Sequence, residues 1–346
     1  MSERVNKVAV IGSGSWGTAS AGLLAERSRE VALWCRDAAL AEAVIATRRN
    51  PRHLTDYELP ANVRATADAA DALAGAEVVV LAVPSAYLRA TCARIAALVP
   101  AEAPVLVLTK GVELGTHKLM LDVVADELGG RERIAVLSGP NHAEEVCQGK
   151  LSAAVLASES PEVALRLQRL VVSHSFRVYV SADVTGVEIC GAVKNVVAIA
   201  CGAAAGSGAG DNTLAVIMTR GLAEIGRVAA ALGADPLTPM GLAGMGDLVA
   251  TCTSRHSRNR TFGEALAAGE SLQSYEARTH AVVEGARAAE SVLALAQAHG
   301  VEVPITSAVH AVLHDGAGVQ EATDMLLGRR PSEEFYGITG QDKERD

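Results

Sequence analysis

The segment GAVKNVVAIA at 191–200 places an ammonium and an amide, Lys194 and Asn195, inside an almost wholly apolar stretch from Val187 to Gly206. Lysine is seldom fully buried without a partner. In a helix this rich in Gly and Ala its side chain must reach a cavity, a counter-charge or, by snorkelling, the surface. Desolvation lowers the pKa of such a group and a nearby carboxylate raises it, so either environment makes a tunable proton donor. Asp247 follows Gly241, Gly244 and Gly246 in the apolar segment PMGLAGMGDLVATCTS and is a candidate counter-ion for Lys194; the alternative is a helix cap. Next come Ser257, Arg258, Asn259 and Arg260, just before TFGE, Thr261 to Glu264, which has the form of a capping box and predicts a helix starting there. Arginine and asparagine beside a helix N-terminus suit a phosphate or carboxylate, although the same residues also fit an exposed basic turn.

A second chemistry sits near the N-terminus. The β-branched run KVAVI, 7–11, leads directly into GSGSWG and then into the small, apolar helical pattern TASAGLLAER. A GxGxxG between strand and helix is the arrangement that cradles a dinucleotide. Gly12 permits the tight turn, Gly14 lets a pyrophosphate approach the backbone, and Gly17 lets helix and strand touch. The helix N-terminus offers free N–H groups to the phosphates. A second strand, EVALWCR at 30–36, ends where a ribose-contacting residue belongs. Arg36 there would pair with a 2′-phosphate and favours NADP(H), while the following Asp37 keeps NAD(H) open.

These residues need elements to hold them. Further strand patterns occur at 77–84, 104–111, 133–140 and 176–180, with helical patterns between the earlier ones. Alternation of this kind predicts an α/β Rossmann-type doubly wound parallel sheet. Ligands of such sheets bind beyond the carboxyl ends of the strands. That points to Lys110, near the end of PVLVLTKG, to Gly139, near the end of RIAVLSGP, and to Asn141 and His142, which follow it. From Asp183 to about Leu327 the pattern is helical throughout. The predicted organisation is therefore a dinucleotide-binding domain over 1–185 and an all-α substrate-binding domain over 186–340. The glycine cluster GSGAGDN, 206–212, lacks the GK[ST] ending of a phosphate loop and reads as an interhelical loop. The charged tail GQDKERD reads as mobile.

Composition narrows the function classes. The 346 residues are 49% hydrophobic and carry a net charge of −9, which argues against a general nucleic-acid binder. The six cysteines show no CxxC pair and no zinc spacing, and His310 and His314 lack the glutamate of HExxH, so no metal is expected. The apolar stretch 187–206 is long enough to cross a bilayer, but Glu188, Lys194 and Asn195 would be costly in lipid. The polar N-terminus lacks the pattern of a signal peptide, and with scattered cysteines this points to the cytoplasm.

The ordered set GSGSWG, LWCRD, LTKG, LSGPNHAEEV, GAVKNVVAIA, GLAGMGDLVATCTS, SRNRTFG and VVEG resembles bacterial-type NAD(P)-dependent glycerol-3-phosphate dehydrogenases over nearly the whole chain. The resemblance implies reversible hydride transfer between NAD(P)H and dihydroxyacetone phosphate, giving sn-glycerol 3-phosphate for phospholipid synthesis. It implies Lys194 as catalytic acid/base, with Lys110 and Asp247 assisting. Lys110, Gly139, Asn141, Asn195, Asp247, Ser257, Arg258 and Asn259 would line the substrate site. Beside Gly12, Gly14 and Gly17, the residues Ser15, Trp16, Arg36, Lys110, Ala143, Arg258, Val282 and Glu284 would contact the cofactor. A homodimer is also implied. The family usually has GPSFA where this chain has GPNHA, so at Asn141 an amide replaces a hydroxyl. Two rival readings share these features: a β-hydroxy acid dehydrogenase of similar architecture, and a non-catalytic dinucleotide sensor. A sensor would have no need to keep Lys194 and Arg258.

Overall fold

The structure, a computed structural model, describes residues 4–330, 333, 334 and 336–338; the charged tail GQDKERD lies outside them. It divides into two compact units, Met1–Thr109 with Met120–Val184, and Lys110–Leu119 with Thr185–Asp346. The short segment after Thr109 thus belongs with the helical unit, although the sequence pattern leaves it in the front half.

The first unit is built on eight strands: β1 (Val5–Ile11), β2 (Ser28–Trp34), β3 (Val63–Thr66), β4 (Val78–Leu81), β5 (Val105–Val107), β6 (Ile134–Ser138), β7 (Ser152–Ala157) and β8 (Phe176–Ser181). Its helices are α1 (Ser15–Ala25), α2 (Ala38–Thr47), α3 (Ala69–Leu73), α4 (Ser85–Ile95), α5 (Met120–Leu128), α6 (Ala143–Val146) and α7 (Pro161–Val171). The strand order is β3-β2-β1-β4-β5-β6-β7-β8. Crossing from β3 back to β1 and then out to β4 reverses the direction of winding, so β1 lies at the switch point where open α/β sheets bind ligands. Val8 of β1 aligns with Val31 on one side and Val78 on the other. Val8, Val10, Leu33 and Val80 are fully buried, as strands covered on both faces require. Each such side chain contributes about 1.5–3 kcal/mol by leaving water.

Two of the eight strands carry no clear strand pattern. β3, VRAT, is short and half polar, while β7, SAAVLA, is rich in alanine, which carries little strand preference. β7 also departs from an all-parallel sheet, because it pairs antiparallel with β6. The link from β6 holds only the single-turn helix α6, too little to carry the chain back along the sheet for a parallel return. β8 then runs parallel to β7 after the full crossover helix α7.

The second unit contains α8 (Val184–Gly206), α9 (Asp211–Ala231), α10 (Asp247–Thr253), α11 (Arg258–Ala267), α12 (Leu272–Thr279), α13 (Glu284–Ala298), α14 (Pro304–His314) and α15 (Val319–Leu327). The glycine cluster at 206–212 is the loop joining α8 to α9. Among the described residues α8 alone is long and apolar enough to cross a membrane, and 72% of its most apolar window is buried within the protein. It crosses α11 at very short range. A Cβ on Gly202 would lie 2.0 Å from the Arg260 carbonyl oxygen, and one on Gly263 would lie 2.2 Å from that of Ile199. Only glycine at both positions lets the two backbones touch.

Candidate active site

In the first unit, Gly12 follows β1 with φ +115°, a left-handed conformation that favours glycine, and a Cβ there would strike the Ala82 carbonyl oxygen at 2.5 Å. Gly17 makes the helix-to-strand contact, since its Cβ would fall 2.0 Å from the Gly12 oxygen. Gly14 has open space where a Cβ would project. Gly14 is also the N-cap of α1 and brings no side-chain acceptor, so the first-turn N–H groups, from Ser15 onward, keep their donor capacity for an anion. Trp16 packs its ring 6.3 Å from that of Phe176, yet its indole N–H is buried without a partner. The Asn141 side-chain amide nitrogen is likewise buried and unpartnered. Buried donors are nearly always satisfied in proteins, so two orphans in the unit that carries the glycine turn fit a bound molecule rich in acceptors, as a dinucleotide is. Gly139 follows β6 with φ +155°, and Ala143 is the buried first residue of α6. Arg36 is exposed at the end of β2, with its guanidinium 5.9 Å from the Tyr87 ring centroid. Asp37 is already engaged: it caps α2 by accepting from the Ala39 and Leu40 N–H groups, and it pairs with Arg52.

In the second unit the buried ammonium has its partner. Lys194, 6% exposed on α8, donates to Oδ1 of Asp247 and, at 2.8 Å, to Oγ1 of Thr251. Lys110 donates to the other carboxylate oxygen, Oδ2, at 2.7 Å. Asp247 is therefore a counter-ion and not a cap, and its one negative charge bridges two ammonium groups. Burial pushes Lys194 down to about 8, with the Lys110 charge adding to the fall and Asp247 opposing it. Burial alone would raise Asp247, but the two ammonium groups outweigh it and hold the carboxyl below its usual range. With both lysines protonated the cluster carries a net positive charge in a buried place, a setting made for an oxygen that becomes negative.

Local structure sets this register. Gly246 N donates to Gly241 O at 3.1 Å, an i→i+5 π-turn over Leu242–Gly246 that leads into α10 and delivers Asp247 as its first residue. Such turns recur at functional sites. Thr251 is a member that the sequence reading leaves out. It sits four residues after Asp247 on the same helix face, accepts from Lys194, and donates to the Asp247 carbonyl at 2.6 Å. Its spacing was the available signal.

The basic segment is arranged differently from the capping-box expectation. Helix α11 starts at Arg258, and its N-cap is Ser257, whose hydroxyl accepts from the Arg260 N–H at 3.2 Å. Thr261 lies inside the helix and donates to the Ser257 carbonyl. Serine four residues upstream offers the same capping chemistry, and it takes Arg258 into the first helical position. Arg258 is exposed, and its guanidinium donates to the Val282 carbonyl at 3.5 Å. Asn259 is buried and donates to Asn195 Oδ1 at 3.0 Å, while its own oxygen accepts from the Gly285 N–H at 2.8 Å. The chain Asn195–Asn259–Gly285 therefore ties α8 and α11 to the first turn of α13, beside Glu284. His310 meets Asp315 and His314 meets the Ala286 carbonyl, and all six cysteines are free.

Models of the N- and C-terminal regions of NAD-dependent glycerol-3-phosphate dehydrogenase match residues 7–164 and 183–324. Glycerol-3-phosphate dehydrogenase (NAD(P)+) 2 of Mycobacterium tuberculosis is 51% identical over 328 residues, covering 94% of this chain and 98% of its own. The glycerol-3-phosphate dehydrogenase (NAD(P)+) of Nocardia farcinica is 51% identical over 333 residues, covering 94% and 99%. The crystal structure of glycerol-3-phosphate dehydrogenase from Coxiella burnetii superposes with a TM-score of 0.90 at 38% identity, covering 94% of this chain and 99% of that one.

Proposed function

The chain belongs to the NAD-dependent glycerol-3-phosphate dehydrogenase family, and we propose that it reduces dihydroxyacetone phosphate reversibly to sn-glycerol 3-phosphate with Lys194 as the proton donor. NAD(P)H supplies the hydride for the carbonyl carbon. The glycine turn, the α1 N-terminus and the donors of Trp16 and Asn141 would hold that cofactor. The observation that carries the reading is the buried Lys194–Asp247–Lys110 bridge. As hydride reaches the carbonyl carbon, negative charge develops on its oxygen. The cationic cluster stabilises that charge, and Lys194 gives the oxygen a proton. Asp247 keeps Lys194 charged in a buried site until the transfer, and Thr251 holds the ammonium group in line. Arg258, at the start of α11 with few other partners, supplies the fixed cation for the substrate phosphate, and phosphate binding orients the carbonyl. In glycerol 3-phosphate oxidation the roles reverse, and neutral Lys194 takes the hydroxyl proton.

This activity supplies the backbone of glycerophospholipids, in the cytoplasm and as a homodimer. A sensor that bound the dinucleotide without turnover would have no use for the buried Lys194 and the Lys110 bridged to it. The deciding assay follows NADPH absorbance with dihydroxyacetone phosphate and then with a panel of β-keto acids. Turnover with the keto acids and none with the triose phosphate would overturn the assignment.

A further inference from the structure

The choice between the two nicotinamide cofactors rests on the tip of β2, where an acidic residue accepts the ribose hydroxyls and a basic one accepts a 2′-phosphate. Here both types stand side by side. Left alone, Asp37 would repel a 2′-phosphate. Its carboxylate is occupied on both oxygens, because Oδ1 accepts from the Ala39 and Leu40 N–H groups and Oδ2 from Arg52. We propose that Arg52 is a cofactor-specificity residue: by neutralising Asp37 it leaves Arg36 as the governing charge and selects the 2′-phosphorylated dinucleotide.

The position of Arg52 is built in. Asn50 is fully buried, and its side-chain nitrogen donates to the Ser13 carbonyl at 2.8 Å and to Thr18 Oγ1 at 2.9 Å. Its oxygen accepts from the backbone N–H of Arg52 at 3.0 Å and of His53 at 3.1 Å. One amide thus fastens the loop that carries Arg52 to the glycine turn that receives the pyrophosphate. The other arginines of this loop are used elsewhere, since Arg48 and Arg49 both pair with Glu58. Arg52 alone among them faces Asp37. The Arg52 hydrogen bond is also the largest influence holding the Asp37 carboxyl below its usual range. Asp37 therefore remains an anion, and its charge must be balanced by a neighbour if a phosphate is to sit nearby.

The inference rests on the dinucleotide-binding reading, and the test separates the two. NADPH and NADH affinities are measured by cofactor fluorescence, without substrate, for the wild type, Arg52→Ala, Asp37→Asn and the double variant. Asparagine still caps a helix, so Asp37→Asn removes charge and keeps α2. Arg52→Ala should weaken NADPH by about fivefold or more, the range of a partly exposed charge-assisted contact, and leave NADH within about twofold. Adding Asp37→Asn to Arg52→Ala should restore most of the lost NADPH affinity. An NADPH-to-NADH ratio unchanged in Arg52→Ala overturns the proposal while leaving cofactor binding intact. Failure of the double variant to recover overturns it too, because Arg52 would then be acting directly on the ligand. If the wild type binds neither cofactor, it is the dinucleotide-binding reading that fails.

Discussion

Changing Asp247 to Asn keeps the shape of the side chain and removes its charge. In the wild type Lys194 titrates at about 8, because Asp247 resists the effects of burial and of Lys110. Reduction needs the protonated amine, so turnover with dihydroxyacetone phosphate should be level below about pH 8 and fall above it. Oxidation of glycerol 3-phosphate needs the neutral amine and should rise through the same region. An opposite charge in contact moves a titration by about 1–3 pH units. In Asp247→Asn that support is lost while the repulsion from Lys110 remains. The falling limb of the reduction profile should therefore move down by about two pH units, making turnover at neutral pH about tenfold lower. Breaking a buried ion pair also costs about 3–5 kcal/mol of stability, so thermal melting and cofactor fluorescence must accompany the kinetics to confirm that the variant is folded. A folded, cofactor-binding Asp247→Asn enzyme whose limb stays near pH 8 would refute the assignment of Asp247 as the charge that tunes Lys194.

Three further substitutions probe the rest of the machinery. Lys194→Ala should cut turnover by about a hundredfold or more with cofactor affinity nearly unchanged, as for a lost proton donor; near-full activity would remove Lys194 from the chemistry. Arg258→Ala should raise KM for dihydroxyacetone phosphate by about 10–100-fold, the range for one hydrogen bond to a charged group, and have little effect on unphosphorylated dihydroxyacetone. If the wild type handles both substrates equally well, Arg258 holds no phosphate. Gly202→Ala puts a methyl group against the Arg260 carbonyl and should cost about 1–3 kcal/mol in urea unfolding while raising KM, because it pushes α11 away from α8. Stability within error of the wild type would mean that the crossing yields easily.

How much of this was legible in the sequence depended on whether the signal was local. GSGSWG could be read because turn, phosphate approach and helix packing are all set within six residues. The central strands could be read because burial on both faces requires continuous apolar runs. β7 could not, since alanine carries little strand preference and its antiparallel pairing depends on how short α6 is. The start of α11 went astray for a related reason: Ser257 and Thr261 are both competent caps, and the one used decides whether Arg258 belongs to a loop or to a helix.

The bridge of Lys110, Asp247 and Lys194 shows where local reading ends. Each residue had a bland explanation when taken alone, and 137 positions separate Lys110 from Asp247. What the sequence did carry was a mismatch, a lysine in a stretch too apolar to leave it unpaired, and a mismatch of that kind implies a distant partner without naming it. Asn50 lies further beyond reach. It is one polar residue in a loop, and its importance comes only from joining Ser13 to Arg52. The chemistry of this chain was thus announced by residues that conflict with their local surroundings. The residues that hold the chemistry in place conflict with nothing nearby, and only the three-dimensional contacts identify them.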